Sequence, residues 1–260
     1  MNILILGDIV GRAGRDAVIP ALPKLRAEHK IDFCIVNVDN AAHGFGITLP
    51  LAMEFFAAGA DCLTLGNHGF DQKEIMGQID AEPRLLRGLN YPRGTMGKPV
   101  GNYTARDGRK VAVLHPMGLV HMANLDCPFL RCDEELRSLT LGGNTAAIVV
   151  DFHAEATSEK QALGHYLDGR VSAVVGTHTH VPTADARVLR RGTAYQTDLG
   201  MCGDYDSVIG FHTQTPIDRF VRKIPTAKLE PANGTGQLRG AVIATDDKTG
   251  LATAITAVSC

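Results

Sequence analysis

The sequence predicts an α/β fold, with parallel strand–helix units in the N-terminal half and antiparallel hairpins in the C-terminal third. Three observations carry this reading. Short, wholly apolar runs recur along the chain, as expected of strands buried on both faces. The first three, at Asn2–Leu6, Phe33–Val38 and Asp61–Leu65, are each followed by a helix-like stretch, the pattern of βαβ layers. Near the C-terminus, paired strand-like runs instead flank the polar turns Arg190-Arg191-Gly192 and Asp246–Gly250.

Asn2–Leu6 ends in Gly7-Asp8-Ile-Val-Gly11-Arg-Ala-Gly14. The spacing is G-x-x-x-G-x-x-G, not the G-x-G-x-x-G of dinucleotide sites, which argues against a nucleotide-cofactor oxidoreductase. Residues 14–29 read as a helix with Val18, Leu22 and Leu25 on one face and a kink at Pro20 or Pro23. Phe33–Val38 runs into Asp39-Asn40, and Thr48 is placed to cap a helix through Leu51, Phe55 and Phe56 to Ala58. Asp61–Leu65 leads to Gly66-Asn67-His68-Gly69, and Asp71-Gln-Lys-Glu74 has the form of a capping box.

Residues 83–101 are rich in Pro, Gly and Arg and read as loop. Val111–Leu114 is strand-like, His115–Pro128 is a long connection at the mouth of the site, and a helix is expected over Cys132–Leu139. Ala146–Val150 runs into Asp151-Phe-His153-Ala-Glu155, with a second capping-box pattern at Ser158–Gln161. Val171–Val175 enters Gly176-Thr-His178-Thr-His180, whose i, i+2 histidines share a face if the backbone stays extended. Residues 200–216 read as loop. There is no linker or repeat, so one domain is expected over residues 1–260.

With 260 residues, 45% of them hydrophobic, the chain can bury a sizeable core. A net charge of −2 gives no basic excess, so a stable nucleic-acid complex is not expected. No apolar run approaches the ~18 residues of a membrane span. The six cysteines form no C-x-x-C pair, and Cys34 and Cys62 lie within apolar runs as small core residues. The first residues show no signal peptide, and the cytoplasm is the expected address.

Asp8, Asp39-Asn40, Asn67-His68, His153, and His178 with His180 all follow strand-like segments. Each alone has an ordinary reading: a carboxylate or carboxamide can form a turn, and a histidine can pack. Together they point to a metal site, because a parallel sheet brings its strand ends to one rim. Two carboxylates, carboxamides and imidazoles without thiolate suit Mn, Fe, Zn or Co, and are too rich in nitrogen for Mg or Ca. So many ligands exceed the needs of one open ion and suit a pair.

These motifs carry a resemblance. Gly7-Asp8, Asn67-His68 and Gly176-Thr-His178-Thr-His180 resemble the calcineurin-like metallophosphoesterases. Gly7-Asp-Ile-Val-Gly11-Arg, Asn40-Ala-Ala, Gly44-Phe-Gly-Ile-Thr48, Leu65-Gly-Asn-His68, the run Asp151–Lys160 and Gly200-Met are similar to the YmdB-like branch. The resemblance implies a layered α/β/β/α sandwich with mixed sheets. It also implies two divalent or trivalent transition metal ions, iron or manganese ahead of zinc. Asp39 would bridge them, with Asp8, His180 and Asn40 at the first and Asn67, His153 and His178 at the second.

The implied activity is hydrolysis of 2′,3′-cyclic nucleotides or similar small phosphodiesters. A metal-bridging hydroxide would attack phosphorus, and His68 would act as general acid; the plainer role for His68 is to orient Asn67. Two positions depart from the wider pattern. Val10 stands where the superfamily usually has histidine, and Asp39 where the branch usually has glutamate. The short first site motivates a rival reading, a regulatory protein that binds a nucleotide phosphate with little turnover. His43, His115, His121, Tyr205 and His212 are candidates for shaping the pocket, and a homo-oligomer is expected.

Overall fold

The computed structural model describes residues 1–224 and 227–260. In chain order the first elements are β1 (Asn2–Leu6), β2 (Asp8–Ile9), α1 (Gly11–Val18), α2 (Leu22–Glu28), β3 (Phe33–Asn37), α3 (Leu49–Ala58), β4 (Cys62–Thr64) and β5 (Leu85–Leu86). Next come β6 (Val100–Thr104), β7 (Lys110–Leu114), α4 (Pro128–Leu136), β8 (Ala147–His153), α5 (Thr157–Leu167) and β9 (Ala173–Thr177). The chain closes with β10 (Arg187–Val188), β11 (Ala194–Gln196), β12 (Met201–Asp204), α6 (Gln214–Arg222), β13 (Gly236–Gln237), β14 (Arg239–Thr245) and β15 (Ala252–Ser259).

Two six-stranded mixed sheets form, ordered β15-β14-β1-β3-β4-β5 and β10-β11-β9-β8-β7-β6, with a small β13-β12-β2 sheet beside them. β1, β3, β4 and β5 pair in parallel, as do β7, β8, β9 and β11. The β14–β15 and β10–β11 hairpins are antiparallel, as their turn signals imply. Side-chain alternation sorts the strands into layers. Leu4, Leu6, Cys34, Val36 and Leu63 face Val18, Leu22, Leu25, Ala52 and Phe55 of the first three helices. Ile3, Ile5, Phe33, Ile35 and Cys62 face the opposite way, against Val111, Val113, Val149, Ala173 and Val175 of the second sheet. The outer face of that sheet, with Ala112, Leu114, Ile148, Val150 and Val174, packs on Cys132, Leu163 and Leu167 of α4 and α5. The result is helix, sheet, sheet, helix. Each buried Ile, Val or Leu stabilises it by ~1.5–3 kcal/mol through apolar area removed from water.

Several local expectations fail for identifiable reasons. The helix expected over 14–29 is two helices, because Pro20 breaks it and Pro23 then sits in the first turn of α2. Thr48 occupies the N-cap of α3 without a side-chain cap bond. Neither capping box forms. After Asp71 the chain makes two short 3₁₀ turns, Lys73–Gly77 and Ile79–Ala81, and α5 starts from Ala156 without a side-chain cap. Asp71, the first residue of the first box, is engaged elsewhere, its Oδ2 2.8 Å from His68 Nδ1, and Glu159, inside the second, accepts from the Leu119 and Val120 backbone N–H groups at 2.9 and 3.2 Å. The supposed loop at 200–216 holds β12 and the start of α6, while β5 and the start of β6 interrupt 83–101.

Candidate metal centre

β1, β3 and β4 end beside β8 and β9, and a polar network joins the ends of the two sheets. Asp151 lies at its centre, fully buried. Its carboxylate accepts from Thr64 Oγ1 (2.7 Å), Thr177 Oγ1 (2.8 Å) and Asn37 Nδ2 (3.1 Å), with His115 Nδ1 3.1 Å away. His115 Nε2 donates to the Leu65 carbonyl at 2.6 Å. Burial alone would lower the His115 pKa, but the Asp151 charge raises it; burial alone would raise Asp151, but His115 pulls it below its ordinary value. This layer of fully engaged groups is a floor. Above it lie groups with unmet needs.

Asp8 Oδ1 and Asp39 Oδ2 are buried carboxylate oxygens with no hydrogen-bond partner. Their sister oxygens are occupied, since the His178 N–H donates to Asp8 Oδ2 and the His68 N–H to Asp39 Oδ1, both at 3.0 Å. Around His153 Nε2 lie Asn67 Oδ1 at 3.0 Å, His178 Nδ1 at 3.2 Å and Asp39 Oδ2 at 3.3 Å. His153 Nδ1 meets Thr177 Oγ1 at 3.0 Å. That hydroxyl gives its proton to Asp151, so it accepts from Nδ1–H, and the Nε2 lone pair faces the cluster in the neutral ring. On the other side, His180 Nδ1–H donates to the Ile209 carbonyl at 2.7 Å, leaving Nε2 3.3 Å from Asn40 Oδ1. The Asn40 amide nitrogen is used on Gly44 O at 2.9 Å, so its oxygen points inward.

Acceptors crowded against acceptors call for positive charge. Among the described residues, no group of three or more His, Cys, Asp or Glu is already arranged to hold an ion. The separations nevertheless fit: two ligands each ~2.1 Å from one ion lie ~3.0–3.4 Å apart at right or tetrahedral angles. Protonation directions agree with this need. Burial, then the Asp198 and Asp39 carboxylates, drives the Asp8 carboxyl well above its ordinary range. Burial would raise Asp39 too, but its contact with His153 and the nearby imidazoles bring it down. Burial, followed by the neighbouring His153 and His180, pushes His178 down to about 2, and burial lowers His180. A neutral imidazole is the form that binds a metal.

The residues picked out in the sequence therefore converge, although not by the expected backbone. His178 and His180 do not extend β9, which ends at Thr177; they take left-handed φ values of 100° and 65°. This turn is clamped by a buried ion pair unforeseen in the sequence. Lys160 Nζ donates to the Thr177 carbonyl at 2.9 Å and to Asp198 Oδ2 at 2.6 Å, and Asp198 Oδ2 accepts from the Thr179 N–H at 3.1 Å. Gly66 must be glycine, since a Cβ there would lie 2.1 Å from His153 Nε2. Val10 is buried and points at Gly203 and Gly210, so the first group of donors has His180 as its one imidazole.

His68 stands at the rim, 28% exposed, with its ring edge-on to Phe45 at 5.0 Å and Nδ1 held by Asp71. Of the pocket-shaping candidates, His115 belongs to the floor. The Tyr205 hydroxyl donates to the Met201 carbonyl at 2.9 Å, and His43, His121 and His212 are exposed. The floor left a signal in the sequence, polar residues inside apolar runs (Asn37, Thr64, Asp151), but nothing in their spacing marks support rather than ligation, and Lys160 of the clamp sits in a polar helical stretch.

Comparison with known proteins places the whole chain in one family. The family model of YmdB-like proteins matches residues 4–258. A 2′,3′-cyclic-nucleotide 2′-phosphodiesterase of Bacillus subtilis is 48% identical over 249 residues, covering 96% of this chain and 93% of the relative. A hypothetical protein from Thermus thermophilus superposes with a TM-score of 0.92 at 39% identity, over 100% of this chain and 99% of that one. A phosphatase from Mycoplasma pneumoniae superposes with a TM-score of 0.93 at 31% identity, over 100% and 93%. A match that runs through both sheets and every donor-bearing strand end leaves one assignment: the chain belongs to the YmdB-like family.

Proposed function

We propose that this protein is a metal-dependent phosphodiesterase that hydrolyses 2′,3′-cyclic nucleotides, expelling the ribose 2′ oxygen. The observation that carries the metal dependence is the pair of buried, unpartnered oxygens Asp8 Oδ1 and Asp39 Oδ2, the latter 3.3 Å from the His153 Nε2 lone pair. The substrate class comes from the Bacillus relative, whose identity extends over nearly the whole chain. Asn67, His153 and His178 would hold one ion, and Asp8, Asn40 and His180 the other, with the unpartnered Asp39 Oδ2 as a further donor. The oxygen and nitrogen donors suit Mn, Fe, Zn or Co, and the family resemblance favours iron or manganese ahead of zinc. The chemistry such ions would supply when bound is a water of lowered pKa and neutralisation of charge on the phosphoryl oxygens.

The chain's own groups do the rest. Buried Asp8 and Asp39 keep the donor set rigid, because the backbone N–H groups of His178 and His68 fix one oxygen of each. His68 carries the proton for the departing ribose oxygen on Nε2. Asp71 on Nδ1 orients that ring, and the face of Phe45 restricts its swing.

The test is elemental analysis of the untreated protein alongside turnover of 2′,3′-cyclic AMP. More than one transition metal per chain and a nucleoside 3′-phosphate product are expected. Metal-replete protein that turns over no cyclic nucleotide between pH 6 and 9 rejects the proposal. The buried Val10, which leaves one donor group an imidazole short, favours a second reading as a nucleotide-binding regulator. Calorimetric binding of the cyclic nucleotide without product over hours would select it.

A further inference from the structure

Each histidine of the centre has one nitrogen facing the cluster and one facing away, and the outward partner fixes the tautomer. For His153 that partner is the Thr177 hydroxyl, and for His180 it is the Ile209 carbonyl; both are neutral, and both histidines are buried. His178 differs. Its outward Nε2 lies 3.2 Å from Glu155 Oε2, on a side chain that is 49% exposed. His153 Nδ1 also lies 3.7 Å from Asp8 Oδ1, beyond hydrogen-bond reach, so His178 is the one imidazole of the three whose outward nitrogen is within hydrogen-bond distance of a carboxylate, and that carboxylate reaches it from solvent. Glu155 sits two residues beyond His153, between the end of β8 and the start of α5, so one short segment supplies a donor and the group that orients its neighbour. His178 has few other restraints. Its backbone φ of 100° is the least favourable of the site, and its ring touches His153 edge-on at 4.8 Å.

We propose that Glu155 is the positioning residue for His178: its carboxylate accepts the Nε2 proton, aims Nδ1 into the cluster and strengthens that nitrogen as a donor. The inference rests on the metal-centre reading above and adds that one ion is held in part from outside, through a half-exposed carboxylate. Negative charge on the outward nitrogen gives the ring imidazolate character, which a hydroxyl or carbonyl partner supplies only weakly.

The experiment compares wild type, Glu155→Ala and Glu155→Gln. The proteins are loaded with Mn²⁺ and titrated with a chelator while bound metal is counted per chain. Glu155→Ala should weaken the more labile ion by about 10–100-fold, the usual cost of losing a partner of a ligating histidine. The second ion should stay within about 3-fold of wild type, since its donors do not touch Glu155. Glu155→Gln keeps an acceptor oxygen without the charge and should fall between wild type and alanine. The Tm of the metal-free proteins should agree within about 2 °C, as expected for a half-exposed side chain.

Equal chelator resistance in wild type and Glu155→Ala overturns the proposal. So does a fall in metal-free Tm that accounts for the metal loss, and so does a Gln variant as weak as alanine with both ions lost together. A wild-type chain that binds no Mn²⁺ at all fails the metal-centre reading itself, an outcome separate from these three.

Discussion

His68 and Gly66 show how much rests on single atoms at the site. His68 contributes its backbone N–H to Asp39 and its ring to the rim, and the two can be separated by mutation. His68→Ala keeps the backbone contact, so the variant should retain its metals while turnover of 2′,3′-cyclic AMP falls about 10²–10⁴-fold. The loss should be much smaller on bis-p-nitrophenyl phosphate, whose leaving group needs no proton. Equal losses on both substrates would show that the ring is not the proton donor. Gly66 is the complementary case, a residue with no chemistry whose missing side chain is the point. Gly66→Ala places a methyl group against the His153 ring, 2.1 Å from Nε2, between rigid strands. The ring must leave, so metal content and activity should fall together. A fully metallated Gly66→Ala protein would contradict the packing described here.

At the scale of elements, the segment after β9 decides where two imidazoles point. It leaves the sheet through left-handed residues and is then tied back to β11 and the strand that follows it. Asp185 is the knot. Thr183 Oγ1 donates to its Oδ1 at 2.6 Å, and Thr197 donates from Oγ1 to Oδ2 at 2.6 Å and from its backbone N–H to Oδ1 at 3.1 Å. Partial burial alone would raise the Asp185 pKa, but these bonds bring it below its ordinary value. A depressed folded-state pKa stabilises the fold above the unfolded value near ~3.9, and this stabilisation is lost as pH falls through the folded value. Asp185→Asn should therefore lower the Tm at pH 7, and its difference from wild type should shrink as both are titrated below about pH 4. A constant difference across that range would place the effect elsewhere.

For the whole molecule, the decisive feature is the apolar layer between the two sheets, which brings strand ends more than a hundred residues apart to one rim. Ile35 lies in it, fully buried, against the second sheet. Ile35→Ala should cost ~2–5 kcal/mol in urea unfolding, with the spread set by how far the sheets can close on the void. Because the donors are divided between the sheets, the variant should also bind metal more weakly than an equally destabilising change in the outer layer, such as Leu167→Ala. Equal metal affinity in the two would show that the centre tolerates slack between the sheets. No helix among the described residues is long and apolar enough to cross a membrane.

The sequence by itself determined the candidate donors and the strands that carry them. Strand positions were legible because burial on both faces leaves wholly apolar runs. Asp8, Asp39, Asn40, Asn67, His153, His178 and His180 were legible because a polar group just past such a run has few reasons to be there. Only the tertiary structure decided which polar groups serve the site and which support it. Asp151 and Asp8 are both carboxylates at strand ends, yet one has every oxygen bonded and the other has one bare. Asp71 reads as a helix cap and instead holds a histidine, and Glu159, in the first turn of a helix, reaches across to hold a loop. The physical reason is common to all four. A carboxylate goes where unmet hydrogen-bond donors or positive charge stabilise it most, and those partners come from distant parts of the chain that no local spacing records.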